Sequence, residues 1–107
     1  MVRDFAVASG MTISDIGPIV GTSDRTLSRK IASGARLGAA ESDRAYRLFN
    51  AVAEAVHAFG DVAKALRWIH RSVPALDGYT PIALLRTEIG TRQVLSAIDS
   101  IAYGGVA

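Results

Sequence analysis

The stretch WIHRSVPALDGYTPIALLRTEIGTRQVLSAIDSIAYGGVA, residues 68–107, decides how the chain is read. It opens on a polar loop, residues 72–79, where Pro74, Asp77 and Gly78 place three turn-forming residues in a short span. Thr80 is a good helix N-cap, and Pro81 stands at the first helical position, where its missing N–H costs nothing. Gly90 reads as the stop of that helix and Thr91 as the cap of the next. Val94, Leu95, Ile98, Ile101 and Ala102 then recur at helical spacing. Leu76, Tyr79, Ile82, Leu85 and Ile89 are expected to be core. After Tyr103 come two glycines and a bare end, the layout of a surface presented to something else rather than of a reaction.

Working back towards the N-terminus, the periodicity stays helical and no run alternates as a strand would. Residues 3–8 are expected to form a short helix with Phe5 and Ala8 inward. Thr12 or Ser14 can cap the next helix, which carries Ile13, Ile16 and Val20; with Thr12 as the cap, Pro18 falls inside it. Gly21 ends this helix and Thr22 or Ser23 caps a third, residues 24–32, with Leu27 and Ile31 on one face and Arg25 and Arg29 almost opposite. A long helix begins near residues 41–43 with a stripe of Ala45, Leu48, Phe49, Val52, Ala55, Val56 and Phe59. Gly60 closes it and Asp61 caps a helix carrying Val62, Leu66 and Ile69, with Trp68 as a wedge between the last helices. Six or seven short helices are expected, an all-α chain.

Composition narrows the function. The 107 residues are half apolar and 7% aromatic, enough for one domain or two small helical units. The absence of cysteine excludes a disulfide scaffold and a thiolate metal site, and fits a reducing cytoplasm. The apolar run in MVRDFAVASGM is too short for a signal peptide, and no stretch approaches a membrane span. His57 and His70 fall on different helices, and no HExxH, CxxC, nucleophile elbow, P-loop or paired-carboxylate motif occurs. No catalytic residue, metal site or cofactor is therefore expected.

The net charge of +2 comes entirely from the first half: residues 1–47 hold seven Lys/Arg and five Asp/Glu, residues 48–107 five of each. Arg25, Arg29, Lys30 and Arg36 lie in one acid-free run. Two short helices joined by a turn containing Gly21 outline a helix-turn-helix, whose second helix would lie in the major groove. There Arg25 and Arg29 can bond guanine or phosphate, supported by Thr26, Lys30 and Arg36. The bland alternative is a solvated basic face, and Asp24 at the helix start would repel a nearby phosphate.

The run Arg25-Thr26-Leu27-Ser28-Arg29-Lys30, then Glu41-Ser42-Asp43-Arg44, then Phe59-Gly60-Asp61 with Ala65 and Trp68, resembles the Xre/MbcA/ParS-type antitoxins. The most specific likeness is Pro74-Ala75-Leu76-Asp77-Gly78-Tyr79-Thr80-Pro81, followed by Leu84-Leu85, Thr87-Glu88-Ile89-Gly90, Val94 and Ile101-Ala102-Tyr103-Gly104. Asp77 stands where that family usually has glycine. The resemblance implies an N-terminal helix-turn-helix unit (1–40) packed on a C-terminal toxin-binding unit (41–107). It implies a bacterial, cytoplasmic type II antitoxin that is not an enzyme. Its partner would be a NAD-consuming RES-domain toxin, blocked at its active-site entrance by the antitoxin's C-terminal end. Toxin contacts are expected at Tyr79, Tyr103, Gly104, Gly105, Val106 and Ala107, and operator contacts at Arg25, Thr26, Arg29, Lys30 and Arg36. A homodimer, with Phe5 as a candidate contact, a higher-order complex with toxin and autorepression of the operon complete the expectation. The rival is a stand-alone helix-turn-helix regulator whose C-terminal helices only dimerise.

Overall fold

A computed structural model describes residues 10–104; the expected helix at residues 3–8 with Phe5, and the tail residues Gly105, Val106 and Ala107, lie outside the described residues. Six α-helices and one 3-10 turn make up the described residues, with no strand among them. The helices are α1 (Ile13–Val20), α2 (Asp24–Ser33), α3 (Ala39–Phe59), α4 (Val62–Ile69), α5 (Pro81–Leu84) and α6 (Glu88–Ala102), with the 3-10 turn at Pro74–Leu76. They form two compact units, Met1–Leu48 and Phe49–Ala107, so α3 contributes its first turns to one and its last turns to the other.

In the first unit the cap of α1 is Thr12, not Ser14. Its Oγ1 accepts from the Asp15 N–H at 3.2 Å, and the Asp15 carboxylate accepts from the Thr12 N–H at 3.4 Å, a reciprocal capping box. Pro18 therefore lies inside α1. Ser14 instead donates its hydroxyl to Asp24 of α2 at 3.0 Å. Gly21 takes a left-handed φ of 88° and donates back to the Gly17 carbonyl at 2.8 Å, which ends α1 in one residue. Ser23 then caps α2 by accepting from the Thr26 N–H at 3.1 Å. The apolar faces of α1 and α2 bury Ile16, Ile19, Val20 and Leu27. Their close packing excludes water from a small aliphatic core.

The second unit is built around Trp68, which is 2% exposed and meets the Phe59 ring at 5.8 Å between centroids. Its indole N–H finds no hydrogen-bond partner among the described residues. That costs roughly 1–3 kcal/mol against the burial of the whole ring. The buried residues of α4 are Ala65, Trp68 and Ile69; Val62, which shares the face of Ile69 by spacing, is exposed at the first position of the helix. The loop after α4 is stitched by paired backbone bonds, Val73 N–H to the Tyr79 carbonyl (3.1 Å) and Gly78 N–H to the Val73 carbonyl (3.0 Å). Ser72 also donates to the Gly78 carbonyl. Asp77 has φ 56°. Left-handed backbone is why glycine suits this place, and aspartate is among the few other residues that tolerate it.

Two expectations for the last third are corrected. Helix α5 ends at Leu84, and α6 starts earlier than read, capped by Thr87, whose Oγ1 accepts from the Gly90 N–H at 2.9 Å. Gly90 is thus a first-turn residue of α6 and not a stop. Thr91 caps nothing; it is buried, and its hydroxyl turns back to the Thr87 carbonyl at 2.7 Å. Ile89, expected in the core, is 74% exposed, and Tyr79 is 60% exposed.

Candidate functional site

Two surfaces could act, one on each unit. On the first, helical spacing puts Arg25 and Arg29 one turn apart on the exposed side of α2, while Leu27 holds the opposite side in the core. Neither arginine is bonded to another side chain among the described residues, so both guanidinium groups are free to meet phosphate or guanine. Arg36 is exposed in the loop beyond α2. Thr26 is half-buried, with its hydroxyl accepting from Ser23 at 2.9 Å. Lys30 points elsewhere: its Nζ reaches the Glu41 carboxylate at 2.9 Å. Asp24 is tied to Ser14 and so offers its charge at the α1–α2 contact.

Glu41 and Arg44, whose individual roles are not legible in the sequence, fasten this surface to α3. Glu41 accepts from the Gly38 N–H at 3.0 Å as well as from Lys30. Arg44 donates to the Val20 carbonyl at 3.3 Å, one of the carbonyls left open at the end of α1. The first turns of α3 thus grip the ends of both preceding helices, which fixes where α2 presents its arginines.

The Glu41 carboxyl is held below its ordinary value of 4.5, first by the Gly38 N–H, then by the bond and charge of Lys30, with the charge of Arg44 adding. A depressed carboxyl stabilises the folded state above pH 4.5, and that contribution is lost as pH falls through the lowered value. Glu41→Gln is expected to remove this part of the acid sensitivity. Urea midpoints compared from neutral pH down past 4.5 should show a flatter profile for the variant; an unchanged profile would mean the carboxylate is not engaged in solution.

On the second unit an open groove of about 570 Å³ lies between the loop after α4 and helix α6. Leu76, Leu84 and Ala97 line its apolar part, and Tyr79 and Ile89 stand at its edge. Gln93, Ser96 and Ser100 supply the polar side along α6. Arg92 borders it while bonded to Glu88 at 3.0 Å. Of the expected toxin contacts the groove gathers Tyr79 only. Tyr103 is 89% exposed just past the end of α6, where its N–H donates to the Asp99 carbonyl, and Gly104 follows with φ 84°. Ile89 was missed because its apolar character matched a core position.

Among the described residues no group of three or more His, Cys, Asp or Glu could hold a metal, and no helix is long and apolar enough to cross a membrane. His70 holds the end of α4, its Nδ1 lying 2.8 Å from the Leu66 carbonyl.

Residues 1–50 match the model of the antitoxin Xre-like helix-turn-helix domain. Residues 54–104 match the model of the antitoxin Xre/MbcA/ParS C-terminal toxin-binding domain. The chain is similar to an "Antitoxin Xre" of Pseudomonas putida, 38% identical over 80 residues, covering 75% of this chain and 50% of the relative. An "Antitoxin Xre" of Photorhabdus laumondii is 35% identical over 94 residues, covering 87% and 64%. One from Yersinia enterocolitica is 32% identical over 85 residues, covering 78% and 57%. The chain therefore spans between half and two-thirds of the length of the curated relatives it matches.

Proposed function

Because the chain belongs to the Xre/MbcA/ParS-type antitoxin family, we propose that it neutralises a NAD-consuming RES-domain toxin and represses its own operon. It works by binding and has no chemistry of its own. The observation that carries this reading is the match of residues 54–104 to a toxin-binding domain, on a unit whose exposed large side chains include Tyr79, Ile89 and Tyr103. In this reading the end of α6 leads into the inhibitory segment, residues 103–107, which covers the toxin's substrate entrance. A short segment with two glycines fits a narrow cleft, and its ordering cost is met by contacts made on binding.

The first unit reads operator DNA in the bacterial cytoplasm. Arg25 and Arg29 make the contacts, with Thr26, Arg36 and, when released from Glu41, Lys30 in support. A homodimer places two copies of α2 on half-sites one helical turn apart, about 34–36 Å, and joins the toxin in a higher-order complex.

Removing residues 103–107 is the test. The shortened chain is expected to co-elute with the toxin in size exclusion but to leave its NAD consumption uninhibited. Full inhibition by the shortened chain would place the inhibitory element elsewhere. A chain that binds operator but never co-elutes with toxin would be a plain regulator.

A further inference from the structure

The groove beside α6 carries Tyr79, one of the toxin contacts expected above, and its composition is not explained by folding. Ile89 is the second residue of α6 and 74% exposed. At that place an acidic side chain would serve the helix N-terminus better, and a β-branched residue has poorer helix propensity. Tyr79, 60% exposed, faces the same groove from the loop. Two large apolar side chains at the edge of this open groove of about 570 Å³, whose lining is otherwise of mixed polarity, leave an exposed apolar patch beside it.

We infer that this groove is the site that holds the toxin, receiving an apolar projecting element of it, while the C-terminal end inhibits. The inference rests on the antitoxin reading. Two observations choose this occupant over others. Every lining residue lies within the segment that matches a toxin-binding domain. In addition, Ile89 and Ser96 lie seven residues apart on one exposed face of α6, which ends at Ala102 beside Tyr103. At 1.5 Å per residue that face is about 21 Å long. A toxin touching Tyr103 is therefore within reach of the groove along α6. Of the charged lining residues Asp77 and Arg92, Arg92 is already paired with Glu88, so the groove offers no free cation to an anionic occupant. Gln93, Ser96 and Ser100 would bond the polar edge of the entering element.

Docking and inhibition are then separable. Ile89→Asp keeps an exposed position and a favourable charge at the helix start, and Ser96→Arg fills the groove from another exposed position. With the purified RES-domain protein of the same operon as probe, each should raise Kd about 30-fold or more, the scale of losing a binding hot spot. Ile89→Leu should bind like the parent. Removing residues 103–107 should change Kd by less than about tenfold and abolish inhibition.

If both groove variants bind as tightly as the parent, the inference is overturned while the antitoxin reading stands. If the intact chain forms no complex, that reading fails and the inference with it. If Ile89→Asp splits a homodimer and leaves toxin affinity unchanged, the groove belongs to a second copy and the inference is overturned. If the shortened chain loses affinity as the groove variants do, docking and inhibition are one element and the separation is refuted.

Discussion

Gly90→Ala is expected to destabilise the second unit by roughly 3–4 kcal/mol, the sum of an overpacking term and a lost cap. In an ordinary helix interior the same change gains up to about 1 kcal/mol, so the sign itself is diagnostic. A Cβ on Gly90 would fall 2.0 Å from the Leu84 carbonyl oxygen and 2.8 Å from its carbon. Backbone at the end of α5 has no rotamer to escape into. The same Cβ would come within 2.8 Å of Thr87 Oγ1, the atom that caps α6. The corner between α5 and α6 must open, and Ile89 and the groove move with it. Against a total stability of roughly 5–15 kcal/mol for a domain, the loss is large. Urea unfolding checks it, and an unchanged or raised midpoint would mean that the close approach does not exist in solution.

Replacing Arg25 and Arg29 together by alanine is expected to cut operator affinity at least about 30-fold, from roughly 1–3 kcal/mol for each base contact. If the guanidinium groups meet phosphates instead, affinity falls on all DNA alike and the salt slope drops by about one per arginine. Both side chains are exposed and unbonded among the described residues, so stability should change by less than about 0.5 kcal/mol. Toxin neutralisation should be untouched. Fluorescence anisotropy across a salt series, on operator and on unrelated DNA, separates the outcomes. Unchanged operator binding would remove α2 as the recognition helix.

The parts legible in the sequence are those fixed by signals a few residues apart. Ser23, Asp61 and Thr80 announce helix starts because a short polar side chain can reach an N–H three residues on. Gly21 announces the turn between α1 and α2 because only left-handed backbone closes it so tightly. Arg25 and Arg29 follow from period alone. What failed depended on contacts across the chain. Gly90 looks the same whether it ends a helix or lets another backbone approach, and only the position of the Leu84 carbonyl distinguishes the two. Thr87 and Thr91 are equal candidates as caps until Thr91 is seen to be buried. Ile89, read as a core position before that cap, lies on the exposed side of α6, and only the packing across the chain shows it there. Lys30 read as a free cation because Glu41, eleven residues on, could not be placed beside it. Arg44 carried the family likeness, but its bond to the Val20 carbonyl belongs to the tertiary fold.

The proposed silencing of a NAD-consuming toxin has one direct test. It is the rate of NAD loss catalysed by a purified RES-domain toxin, titrated with the intact chain. The rate is expected to fall linearly with added chain and reach background at a fixed molar ratio, as a tight complex requires. A rate that stays constant through an excess of folded chain would rule that silencing out.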